Sequence, residues 1–81
     1  MAALFVRLWR LRREAMTVEL RLRDGEIIIP DQFLEKLSQP SHGVFAVKEA
    51  DGSTSLVAVA WESVGRATLR GLSEVPGELA D

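Results

Sequence analysis

Residues 17–37 read TVELRLRDGEIIIPDQFLEKL, and this stretch decides the fold. Thr17–Arg23 alternates, with Val18, Leu20 and Leu22 on one side and Glu19, Arg21 and Arg23 on the other, which is the period of a strand with one face buried. Asp24-Gly25 is a turn dipeptide between two β-like runs. Glu26–Ile29 then brings three consecutive isoleucines, a pattern that suits a strand buried on both faces or one covered by a second subunit. Pro30 has no amide hydrogen for a ladder and ends the run. Beyond it, Asp31 can cap a first turn and Phe33, Leu34 and Leu37 share a face, so a short helix is expected over Asp31–Leu37.

Outward from this stretch the β character continues. Ser38–Gly43 is dense in turn formers and reads as a loop. Val44–Glu49 and Thr54–Trp61 are the next strands, joined as a hairpin across Asp51-Gly52. Val64–Leu69 reads either as a further strand or as the start of a helix. Val75-Pro76-Gly77 and the acidic Glu78–Asp81 read as a frayed tail.

The N-terminal segment is different in kind. Arg7, Arg10, Arg12 and Arg13 stand against Glu14 alone, a balance of +3. From Met16 onward six basic and eleven acidic residues leave −5, for a net −2. On a helix, Leu4, Phe5, Leu8, Trp9, Leu11 and Ala15 make one broad face that Arg12 interrupts. Such a basic amphipathic segment covers the domain's own core, lies on a membrane surface, serves as a transit peptide, or docks on a partner. Met16 precedes the first strand directly, so Met1–Ala15 also reads as an untranslated extension. The organisation expected is therefore a basic amphipathic segment over 1–15, a small β domain over 16–62 and a partly flexible C-terminal extension over 63–81.

Size and composition bound the function. An 81-residue chain of 9.0 kDa without cysteine buries only roughly 60–65% of its unfolded surface, so a partner subunit is the economical support for a lone small core. No apolar run reaches the roughly 18 residues that a spanning helix needs, and a cytoplasmic protein is expected. His42 is the sole histidine, and with no cysteine present no metal site is expected. Ser41, Ser53, Ser55 and Ser63 have no glycine-flanked elbow beside them, and no phosphate-cradling loop occurs. The expectation is a protein that is not an enzyme, with no catalytic residues, no cofactor and no small-molecule substrate. Trp9 and Trp61 are expected in the core or at a dimer seam.

Residues 23–37, RDGEIIIPDQFLEKL, resemble the signature of AbrB/MazE-type swapped-hairpin proteins, in which a glycine and a β-branched run close on proline before a short helix ending in leucine. The hairpin across Asp51-Gly52 fits the same order, and the resemblance spans residues 17–61. It implies a mainly β fold with one short helix, a ββαββ swapped-hairpin barrel, built as an interlaced homodimer. It also implies a DNA-binding transcriptional regulator or the antitoxin partner of a toxin. Where the family carries its DNA-reading basic residues, this chain has Glu26, Asp31, Gln32, Leu34 and Glu35. Arg21, Arg23 and Lys36 remain as the phosphate-contacting candidates, with the N-terminal arginines as an extension of that face. The alternative is a protein-interaction module on the same scaffold with DNA binding lost.

Overall fold

The computed structural model describes residues 1–77, so the acidic end at Glu78–Asp81 lies outside the described residues. The elements are α1 (Ala2–Leu11), β1 (Thr17–Leu22), β2 (Ile27–Ile28), β3 (Gln32–Phe33), β4 (His42–Lys48), β5 (Thr54–Ala60), a 3-10 turn at Trp61–Ser63, and β6 (Val64–Arg70). They form two three-stranded antiparallel sheets, in the orders β2-β1-β6 and β3-β4-β5. Among the described residues neither sheet closes into a barrel.

This corrects the expected ββαββ swapped-hairpin barrel and, with it, the interlaced homodimer. Among the described residues the α-helix is α1, and Asp31–Leu37 is not helical. The reason is competition for the backbone. Asp31 N–H donates to Ala46 O and Leu34 N–H to Val44 O, both at 2.9 Å, so the segment joins the ladder of β4 instead of bonding to itself. Asp31 Oδ2 accepts the Lys48 amide at 2.7 Å and caps nothing. Only one turn survives, where Ser38 folds back on the Leu34 carbonyl with both its amide and its hydroxyl. Two turns of helix have too few bonds to resist a neighbouring strand that offers partners and burial together.

Pro30 therefore marks a corner and not a helix start. The chain pairs with β1 before the proline and with β4 after it, and so passes from one sheet to the other. The Trp61–Ser63 turn makes the corresponding passage between β5 and β6. Within the chain the isoleucine run is one-sided. Ile28 is 8% exposed, whereas Ile27 and Ile29 are 45% and 49% exposed.

The two Asp-Gly turns behave as their chemistry requires. Gly25 and Gly52 take φ of +94° and +89°, which a side chain would strain. In each turn the aspartate accepts the amide two residues on, Asp24 from Glu26 and Asp51 from Ser53, both at 2.9 Å. Val64–Leu69, open between strand and helix in the sequence, belongs to the strand β6, which pairs along β1 from Thr17↔Arg70 to Arg21↔Arg66.

The core lies between the sheets and under α1. Val18, Leu20 and Ile28 from one sheet meet Phe45 and Val59 from the other, with Trp61 and Val64 at the corner. Phe5 from α1 is fully buried among them, its ring 5.0 Å from Phe33, 5.3 Å from Phe45 and 5.4 Å from Trp61. Of the readings open for the N-terminal segment, the structure realises cover for the domain's own core.

Candidate nucleic-acid interface

The outward face of β1 and β6 carries most of the chemistry. On β1 the outward positions are Thr17, Glu19 and Arg21, and on β6 they are Arg66, Thr68 and Arg70. Antiparallel pairing sets Arg21 directly opposite Arg66, and both are exposed. Backbones so paired stand roughly 4.5–5.5 Å apart, and like charges there repel. One register step pair further, Arg70 Nη2 lies 3.2 Å from Glu19 Oε2. Among the described residues no carboxylate comes within salt-bridge distance of Arg21 or Arg66.

Arg23 stands at the end of this face, in the turn. Its amide donates to Ser63 O at 2.8 Å and its Nε to Glu62 O at 2.7 Å, so the side chain folds across the β6 end of the corner. The open hollow beside it, about 600 Å³, is lined by Leu22, Arg23, Asp24, Glu62 and Ser63. Two carboxylates in that wall oppose an anion, so Arg23 is committed to the corner with only its guanidinium tip beyond Nε to offer. Lys36 is exposed in the turn between β3 and β4, on the other sheet, and no strand of the arginine face carries it. The structure thus brings Arg21 and Arg23 to one end of a sheet and leaves Lys36 apart.

The N-terminal arginines are mostly engaged locally. Arg10 pairs with Glu35 at 3.4 Å. Arg12 places its guanidinium carbon 4.7 Å from the Trp9 ring centroid, a cation–π contact that explains a charge inside the apolar face. Arg13 Nη1 donates to the carbonyls of Arg10, Leu11 and Arg12, satisfying acceptors that the end of α1 leaves open. Arg7 is exposed.

Comparison with family models, curated proteins and solved structures finds no match to this chain.

Sequence reasoning missed Arg66 and Arg70. The signal was present in part, since strand periodicity places Arg66, Thr68 and Arg70 on one side, but the reading of Val64–Leu69 stayed open. That Arg66 faces Arg21 depends on a pairing 45 residues apart in the chain, which no local pattern specifies. Elsewhere, Ser41 Oγ lies 2.8 Å from His42 Nδ1 at the exposed start of β4. Among the described residues no three His, Cys, Asp or Glu side chains gather as a metal site. Among the described residues no helix is long and apolar enough to cross a membrane. Asp51 is held below the ordinary carboxylate range, first by the Ser53 hydroxyl at 2.6 Å and then by the Ser53 amide.

Proposed function

We propose that this chain is a non-enzymatic DNA-binding module, acting as a dimer in transcriptional regulation or as an antitoxin, that meets DNA through the outward face of β1 and β6. The observation that carries the reading is the Arg21–Arg66 pair, two exposed arginines directly opposite, neither with a carboxylate within salt-bridge distance among the described residues, while the nearby Glu19 is taken up by Arg70. Such a pair costs stability, roughly 0.2–1 kcal/mol, and a bound phosphate removes the repulsion while accepting from both guanidinium groups. Arg70, two positions past Thr68, extends the face, and its tie to Glu19 leaves it partly neutralised. A cytoplasmic setting belongs to the same proposal. The body of the chain is acidic, so the attraction is local and steep in salt and not a field over the whole surface.

The test is fluorescence anisotropy with duplex DNA from upstream of the protein's own gene, at roughly 50 and 200 mM salt, where phosphate contacts show as counterion release. Binding that weakens between the two conditions, and that Lys36→Ala leaves unchanged, is the expected result. Absence of binding at the lower salt overturns the reading. The alternative, a protein-interaction module, would then lead, and the exposed Ile27, Ile29, Leu37 and Leu56 favour it.

A further inference from the structure

We propose that a second copy of this chain adds to the free edge of β5, joining two β3-β4-β5 sheets into one continuous six-stranded sheet. The inference does not rest on the DNA-binding reading, which concerns the other sheet. It begins from which way the backbone of β5 points. At the two ends of the β4–β5 ladder, Glu49 N–H donates to Ser53 O at 2.8 Å and Trp61 N–H to Ser41 O at 3.0 Å. Both bonds lie on the same unbroken register that pairs Phe45 with Val57. Directly bonded pairs recur every second residue in an antiparallel ladder. Ser55, Val57 and Val59 therefore spend their amides and carbonyls on β4. Thr54, Leu56, Ala58 and Ala60 aim theirs at the open side, where the sheet order places no further strand among the described residues.

This edge has none of the features that keep edges apart. Thr54–Ala60 reads TSLVAVA, with no charge, no proline and no register shift along seven residues. The occupant follows from charge and register. Among the described residues the other long free edge is β6, where a two-fold axis through Thr68 would set Arg66 opposite the copy's Arg70. An uncharged β5 meets no such opposition from its own copy. A two-fold axis through Val57 pairs Thr54 with the copy's Ala60 and Leu56 with the copy's Ala58. In that register all four outward-directed residues bond reciprocally and none is left over. Leu56, 65% exposed, then lies opposite the small, exposed Ala58 of the copy, so each side supplies a large and a small residue in turn.

Sedimentation velocity of the full chain over a concentration series tests this, together with hydrogen exchange of the β5 amides. The expected mass is twice 9.0 kDa, with the Leu56 and Ala58 amides protected in the dimer. Ala58→Pro and Leu56→Pro each remove one outward amide while leaving the β4 ladder intact, because these amides point away from it. Each variant is expected to sediment at 9.0 kDa with unchanged far-UV circular dichroism, and Ala58→Pro to release the Leu56 amide to fast exchange. A wild-type chain that stays at 9.0 kDa throughout overturns the proposal, as does fast exchange of Leu56 and Ala58 in the wild-type dimer. So does a particle of three or more copies, which would signal head-to-tail joining of β5 to β6. Should either variant fail to fold, the mass and exchange of the wild-type chain still decide.

Discussion

Phe5→Ala removes the ring that ties α1 to both sheets. Phe5 is fully buried and lies within 5.8 Å, centroid to centroid, of Trp9, Phe33, Phe45 and Trp61. Truncating a buried phenylalanine to alanine costs about 3–5 kcal/mol, and the lost edge-to-face pairs keep this site toward the upper end. At about 0.05–0.15 kcal/mol per residue, a chain of this size has only about 4–12 kcal/mol to lose. At about 4–8 °C per kcal/mol for a domain this small, the midpoint falls by at least about 12 °C, or the fold is lost at room temperature. Thermal unfolding followed by near- and far-UV circular dichroism reads it. Leu4→Ala sits on the same helix with an exposed side chain and should stay within about 0.5 kcal/mol of the parent. Phe5→Leu keeps most of the apolar volume and should fall between them, at about 1–2 kcal/mol. If Phe5→Ala melts within about 2 °C of the parent, a shift worth well under 1 kcal/mol, α1 is not part of the core.

Three further outcomes follow from the same structure. A methyl group at Gly43 would stand 2.6 Å from the Trp61 ring and 2.9 Å from Phe45, so Gly43→Ala should cost about 1–3 kcal/mol in chemical denaturation, as overpacking does. Asp51 is stabilised as the carboxylate by Ser53, so its contribution is present above the ordinary aspartate range and is lost as pH falls through its lowered value. Melting curves of the parent and of Ser53→Ala should therefore differ at neutral pH and converge in acid; a gap that persists in acid contradicts the linkage. Trp61 Nε1 donates to Gln39 O at 3.2 Å, so Trp61→Phe should lose this bond as well as packing and destabilise by about 1–3 kcal/mol in denaturant titration.

The hairpins were legible because their determinants are local. Alternation in Thr17–Arg23, the two Asp-Gly turns and the apolar runs of β4 and β5 each act within a few residues, and the structure contains all of them. Asp31–Leu37 misled for a physical reason. Its face of Phe33, Leu34 and Leu37 suits a helix, but Phe33 finds Phe45 opposite it in a sheet and Phe5 above it, contacts that lie outside the segment. Within the chain the isoleucine run is covered on one face only, because strand burial is set by layers that the run does not contain. For the candidate site, Arg21 was legible as an outward strand position, whereas Arg23 lies just past the strand, in the turn. The partner that gives Arg21 its interest, Arg66, was not, because long-range register decides it. Lys36 owed its candidacy to a helix that the ladder of β4 replaces.

In the proposed function Arg21 and Arg66 together hold phosphate. The salt dependence of DNA affinity, measured by anisotropy for the parent and for Arg21→Ala/Arg66→Ala, tests it most directly. Each phosphate contact contributes about 0.9 to the slope of log affinity against log salt, so the double variant should lose about 1–2 in slope while remaining folded. An unchanged slope, with affinity intact, would contradict the account.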